Sequence, residues 1–383
     1  MKVSILGRGN AGCITAMYLA YWNPEIELEL LYDSNIKPVP TGQGTTLLFP
    51  NLLHKLFSYK IDDPDFQCTM KHGIMYEGWG KLNEKIFHDF ALTSHSIHFH
   101  PAAFQDYVCS KLKKKIKMKE VDEHIVSYDL LDSDFIIDCR GKPETLDDTY
   151  EMLNNPLNTA LLANLPIKPD DVKWTRTIAH PNGWCFYIPL PHTTSLGYLY
   201  NSNITSEEEA TKDFQERLGV SKVKKFSFKQ YVSKQPIKNN RVMLNGNKLF
   251  FLEPLEATAM DTYYKCAVTF ADYMNKVITK QEATHTVNRH VKQVENFILW
   301  HYLNGSKYDT PFWSHATNMA ENNLRGDFKA VVNNVKNMSY KELNDRLKTN
   351  IDIYYGLSNS YNLRVWYDGV NKKGDNTYVC GNY

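Results

Sequence analysis

The stretch "LFFLEPLEATAM" at 249–260 sets two carboxylates, Glu253 and Glu256, around Pro254 inside an apolar run. Such acids can take or give a proton, or balance a neighbouring cation. A surface loop would not surround them with Phe250, Phe251, Leu252 and Leu255. A core strand would not hold them unpaired, because burying a lone charge is expensive. The competing reading is a strand end with one capping and one surface carboxylate. Glu253, which precedes proline, suits a structural role. A second group of residues suits ligand binding. Gly7, Gly9 and Gly12 form G-x-G-x-x-G between an apolar segment and a helical pattern. In that spacing the first glycine makes a tight turn, the second lets backbone approach a pyrophosphate, and the third lets helix pack on strand. Asp33 closes the next apolar segment, "IELELLYD", where an acid binds a ribose hydroxyl. Together these read as a dinucleotide site; the alternative is a glycine-rich turn that binds nothing.

Other candidates point to less. His95, His98 and His100 invite a metal, but zinc-ligand spacing is absent and two of them simply alternate along a strand, so no metal is expected. The run "KLKKKIKMK" at 111–119 follows a helical pattern and reads as a solvated helix C-terminus. With a net charge of +1, nothing draws the whole molecule to nucleic acid or an anionic membrane. The seven cysteines are scattered with no CxxC pair, which reads as a reduced, cytoplasmic chain. No apolar run approaches a membrane span, and the short apolar start "MKVSILG" reads as a strand.

The elements that must hold these residues describe an α/β protein. Residues 1–150 read as a Rossmann-like region: a strand at Lys2–Leu6, the glycine turn, a helix, the strand ending in Asp33, and a third strand within 133–143. From 151 to 245 the texture becomes that of a second, mixed sheet. It includes "GWCFYIPLP" and "TSLGYLYNS", and a helix opened by a Ser206–Glu209 capping box and stopped by Gly219. Residues 246–290 return to the first region, and 291–383 are mainly helical. Trp184, Phe186 and Ile188 share one strand face, either as ordinary core or as a wall between two compartments.

Taken together, these residues resemble the flavin-dependent halogenases of the tryptophan-halogenase type, over nearly the whole chain. "LGRGNAGCITA" is similar to their FAD fingerprint, and "TGQGTTLLFPNL" to the G-E-x-T-x-P segment along the flavin, with Gln43 in place of Glu. By that match Gly7, Gly9, Asn10, Ala11, Gly12, Asp33, Gln43 and Thr45 would hold FAD. "TMKHGIMYEGWG" resembles the segment of the catalytic lysine, here Lys71, and "IFHDF" the F-H-x-F stretch of the substrate pocket, here His88 and Phe90. "GWCFYIPL" is similar to W-x-W-x-I-P, with Phe186 for the second Trp. "FLEPLEAT" resembles F-x-E-P-L-E-S-T, which makes Glu256 the catalytic glutamate and sets Thr258 and Ala259 at the halide site. "HYLNGSKYDTPFW" resembles the segment whose Phe312 and Trp313 face the substrate. The G-x-A-x-G run usual before F-x-E-P is replaced by "NGNK".

The resemblance implies an enzyme that takes FADH2 from a separate flavin reductase and uses O2 and a halide (chloride, bromide or iodide). It makes hypohalous acid behind the Trp184–Phe186–Ile188 wall and delivers it through Lys71 to an electron-rich indole, phenol or other heteroaromatic, with Glu256 as partner base. Tyr308 stands where members acting on free tryptophan tend to carry an acid, so a neutral ring is the expected substrate. The alternatives are a FAD-dependent aromatic monooxygenase and a flavin-binding protein without chemistry.

Overall fold

A computed structural model of the chain describes residues 1–90, 95–122, 126–167, 173–349, 354–356 and 358–374. A six-stranded sheet runs in the order Ile237–Lys238, Val242–Leu244, Phe135–Asp138, Lys2–Leu6, Glu27–Tyr32, Lys117–Glu120. All neighbours are parallel except the first pair, a hairpin. Val3, Ile5, Leu28, Leu30, Ile136 and Ile137 are buried along these strands, as expected of a parallel sheet covered on both faces. The helix Asn10–Trp22 packs on Ala259–Met274 and on Pro101–Leu112. The lysine run is not one helix end, which corrects the sequence reading. Lys111 closes the helix Pro101–Leu112, while Lys117 and Lys119 sit on the strand at the sheet's edge. Charge on an edge strand opposes pairing with another chain.

The second sheet has seven strands, in the order Lys224–Ser227, Thr159–Pro166, Thr193–Tyr200, Gly183–Pro189, Thr175–His180, Gly73–Glu77, Lys85–Asp89. The last two come from the first 150 residues, and Gly73–Glu77 joins Thr175–His180 in parallel. On Gly183–Pro189 alternate residues serve two cores. Trp184, Phe186 and Ile188 enter the main core, while Cys185 and Tyr187 pack with Tyr198 and Phe214 under the helix Glu207–Leu218. That helix has both capping-box bonds between Ser206 and Glu209, and it ends at Gly219 with φ 69°.

Two small sheets carry the acids and the lysine. One runs Gln43–Gly44, Ser96–Phe99, Cys68–Lys71; the other, Tyr150–Met152, Tyr231–Ser233, Phe250–Phe251, leads directly to Glu253. The C-terminal part is helical, with Lys280–Leu303, Pro311–Asn323, Gly326–Val335, Tyr340–Lys348 and Ser360–Asn371. Positions 350–353 and 375–383 of the region read as helical, Cys380 among them, lie outside the described residues. Among the described residues no helix is long and apolar enough to cross a membrane.

Candidate functional site

The glycine turn has the geometry a dinucleotide needs. Gly7 has φ 95°, and a Cβ on Gly12 would lie 1.8 Å from the Gly7 carbonyl oxygen, so both positions require glycine. Gly9 differs: a Cβ there would meet nothing within 4 Å. It is the N-cap of Asn10–Trp22 and supplies no side-chain cap, so the first-turn amides keep their anion-binding character. Asp33 follows the strand Glu27–Tyr32 and accepts from the Asn35 amide at 2.8 Å. The "NGNK" segment packs on this helix, since a Cβ on Gly246 (φ 63°) would come within 2.6 Å of the Ala11 Cβ.

Lys71 ends its strand at 1% exposure. Its Nζ donates to the Thr45 carbonyl oxygen at 3.0 Å and lies 5.6 Å from the centre of the Phe90 ring. Burial lowers its pKa to about 8, against the opposing fields of Glu256 and Asp261. A Cβ on Gly44 would sit 3.3 Å from that ammonium and 3.6 Å from the Ala257 Cβ, so the Gln43–Thr45 segment, Lys71 and the "EPLEAT" turn converge.

The two acids of that turn have separate surroundings. Glu253 is 1% exposed; it accepts from Asn155 Nδ2 at 2.8 Å and from the Tyr302 hydroxyl, to which Trp184 Nε1 donates. Burial raises its pKa to about 7, against these hydrogen bonds. Glu256 has φ 65° and Ala257 φ 54°, left-handed values that cost non-glycine residues energy and cluster at functional sites. Oε1 of Glu256 accepts from the Tyr76 hydroxyl, contacts His88 Nδ1 at 2.9 Å and His301 Nε2 at 3.0 Å. Burial opposes its charge, but His88 and His301 outweigh this and hold the carboxyl well below its usual range. For His88, burial is likewise overcome by Glu256, and its pKa is raised. The His88 Nε2 is buried with no partner.

Thr258 and Ala259 open the helix Ala259–Met274, again without a side-chain cap. Asp261, in its first turn, accepts from the Thr46 hydroxyl; burial lifts its pKa to about 6, against Thr46 and Lys71. Aromatic rings close the far side. Trp366 lies 4.3 Å from His301 and 4.7 Å from Tyr76 between ring centres, and its Nε1 is buried without a partner.

A profile described as tryptophan halogenase matches residues 2–128 and 112–346. The chain belongs to the tryptophan halogenase family. Among curated relatives, the tryptophan 7-halogenase KtzQ of Kutzneria sp. (strain 744) is 23% identical over 296 residues, covering 68% of this chain and 55% of that protein. RebH, a tryptophan 7-halogenase of Lentzea aerocolonigenes, is 23% identical over 256 residues, covering 58% of this chain and 48% of its own. The chain thus spans about half the length of these relatives. A flavin-dependent halogenase from Xanthomonas campestris has a similar fold, with TM-score 0.81 at 17% identity, covering 97% of this chain and 88% of that one. The tryptophan 6-halogenase SttH from Streptomyces toxytricini gives 0.78 at 17% identity, covering 97% and 91%.

In this member of the family the fold gathers Lys71, His88, Phe90, Glu256, Thr258 and Ala259 into one region. Phe312 and Trp313 are buried one layer away: Trp313 meets Trp79 edge-on at 5.2 Å, and Trp79 in turn packs on Tyr76, while the Trp313 indole donates to the His180 carbonyl. Lys71 and Glu256 sense each other's charge but form no ion pair within 4 Å. Tyr308 packs under Arg217 and Lys307, and Asp309 pairs with Lys81 at the surface. His98 is neutralised by burial and bonds Thr69 and Thr175, while His100 caps the helix Pro101–Leu112. Sequence reasoning missed Tyr76, His301, Asp261 and Trp366. His301 and Tyr302 are adjacent in "HYLNG", yet one serves Glu256 and the other Glu253.

Proposed function

We propose that the chain is a flavin-dependent halogenase acting on an electron-rich aromatic ring. The observation that carries this reading is Lys71, a buried ammonium with a pKa near 8 set between the Gln43–Thr45 segment, the Phe90 ring and the "EPLEAT" turn. A lysine is rarely buried without a task.

The residues fit FAD. The open Gly9 and the uncapped first turn of Asn10–Trp22 suit a pyrophosphate, with Gly7, Asn10, Ala11 and Gly12 around them. Asp33 suits a ribose, and Gln43 and Thr45 lie on the segment nearest Lys71. Bound there in its reduced form, supplied by a separate reductase, FAD would supply the reducing chemistry that activates O2 and turns halide into hypohalous acid. Trp184, Phe186 and Ile188 separate that chemistry from the ring, so the oxidant reaches substrate only past Lys71. The Phe186 ring needs Gly197 behind it, where a Cβ would come within 2.2 Å.

Lys71 donates a hydrogen bond to hypohalous acid and polarises it toward the ring. With a pKa near 8 it is largely ammonium at neutral pH, yet gives up its proton more readily than an exposed lysine. The backbone at Thr258 and Ala259, at a helix N-terminus, suits the halide. His88, Phe90, Phe312 and Trp313 bound the ring's side of the site, and the group around Glu256 accepts the proton that leaves the ring.

The test supplies the protein with FADH2, O2 and each halide in turn, with a panel of indoles and phenols. Halide-dependent mass shifts support the reading. Oxygenated products without halide, or tight flavin binding without turnover, overturn it. Brisk NADH oxidation without a reductase would overturn the assignment of a separate reductase.

A further inference from the structure

We propose that Nε2 of His88 is the atom that takes the ring proton, with Glu256 as the carboxylate that orients it. This rests on the halogenase reading and specifies which atom in the acid's surroundings does the work.

The acceptor and donor atoms around Glu256 differ in what they face. Oε1 of Glu256 is engaged by Tyr76, His88 and His301. His301 is held at both nitrogens, because its Nδ1 contacts the Phe297 carbonyl oxygen at 2.8 Å. A carbonyl only accepts, so His301 donates there, and its other nitrogen, Nε2, faces Glu256, which leaves neither nitrogen open to a substrate. His88 is the opposite case. Its Nδ1 faces Glu256, so the neutral ring carries its proton on Nδ1 and its lone pair on Nε2. That Nε2 is buried, on a side chain 4% exposed, and no protein group meets it. A buried polar atom without a partner asks for one. A carboxylate behind one imidazole nitrogen and an open lone pair on the other is the arrangement of a general base.

Position agrees. Phe90 directly follows the strand Lys85–Asp89 that carries His88, and its amide donates to the His72 carbonyl beside that strand. The Phe90 ring lies beside the Lys71 ammonium, and the charges of Lys71 and His88 sense each other. Halogen donor and base are thus held close enough for their charges to interact, with Phe90 between the lysine and the segment that carries His88. The groups facing His88 are Glu256, Asp89 and Lys71; Tyr76 and His301 act through Glu256. From the helix Ser360–Asn371, Tyr361 bonds Asp89, and Trp366 adds a neutral ring.

The step balances. A π pair of the ring bonds to the halogen of hypohalous acid, and the halogen–oxygen bond breaks. The oxygen leaves with the electrons of the broken halogen–oxygen bond and takes a proton from Lys71, forming water. The C–H bond at the same carbon then breaks, its pair restores the aromatic ring, and the proton goes to His88 Nε2. The imidazolium so formed is balanced by Glu256. A carboxyl held well below its ordinary range is a poor base near neutral pH, whereas an imidazole is well matched. Activity should rise as His88 loses its resting proton and fall as Lys71 loses its own near pH 8.

The experiment uses His88→Asn. Its amide stands in for Nδ1 and keeps a donor to Glu256, but it has nothing at Nε2. Halogenation of a neutral indole should fall about 10²-fold or more. A primary isotope effect with ring-deuterated indole, absent in the wild type, should appear, and the rising limb of the pH profile should vanish. In the protein alone, nitrogen-15 imidazole spectra should show His88 as the Nδ1–H tautomer at high pH, lost in Glu256→Gln. His88→Gln serves the same readouts if the asparagine variant does not fold. The proposal is overturned if either folded variant keeps more than about a tenth of wild-type activity without an isotope effect. It also fails if the isotope effect appears only in Glu256→Gln. A wild type that halogenates nothing overturns the halogenase reading instead.

Discussion

Glu253→Gln should change stability in a way that depends on pH. Glu253 is buried, and its carboxyl moves from an ordinary 4.5 to about 7, chiefly because burial disfavours its charge. The folded protein therefore keeps this proton up to about pH 7, whereas the unfolded chain releases it near 4.5. Between those values the folded state binds more protons, so stability falls as pH rises. The contribution of the neutral acid is fully present below 4.5 and is lost through pH 7. At about 1.4 kcal/mol per pH unit the difference amounts to about 3 kcal/mol. Glutamine mimics the neutral acid at every pH, although its amide suits Tyr302 and Asn155 imperfectly. The variant should match or trail the wild type at pH 5 and overtake it by pH 8. Unfolding midpoints of both proteins at the two pH values measure this, and titrations of groups remote from residue 253 cancel in the difference. A wild-type-minus-variant difference that is the same at both pH values would refute the reasoning.

Lys71→Ala should fold, bind flavin and lose halogenation by about 10²–10⁴-fold; retention of more than about a tenth of the activity would remove Lys71 from the mechanism. Gly9→Ala should leave the melting temperature unchanged and weaken flavin binding, because its Cβ enters open space, whereas Gly12→Ala should fail to fold against the Gly7 carbonyl. Soluble yield, melting and flavin titration separate these outcomes. Offered free tryptophan and a neutral indole at equal concentration, the enzyme should halogenate the indole faster, since Tyr308 supplies no negative charge; a clear preference for tryptophan, kept in Tyr308→Phe, would refute this.

The glycine turn was legible because its constraints lie within six residues, and the geometry of each glycine follows from its neighbours. The strand Lys2–Leu6 and the capping box of Glu207–Leu218 are local in the same sense. Lys71 was legible only through resemblance, since a lone lysine on a short strand looks like a surface residue; the pattern marked both Glu253 and Glu256, and the resemblance alone singled out Glu256. The partners of Glu256 were not legible at all. Tyr76 lies 180 residues away, His88 168 and His301 45, and nothing in the local pattern ties them to that acid. His301 sits among apolar residues of a long helix, where a buried histidine reads as core. The lysine run misled because charge at a helix end and charge on an edge strand look alike in sequence.

Lys71 stands two residues before Gly73–Glu77, the strand from the first 150 residues that inserts into the second sheet beside Thr175–His180. Expressed apart, the two halves would each carry a raw sheet edge, and neither would own a site. The seam therefore ties the lysine's position to the integrity of the second sheet: a parting of Gly73–Glu77 from Thr175–His180 would draw Lys71 off with its strand. On the halogenase reading proposed above, a chain that had begun to come apart would then lose the group that steers the oxidant.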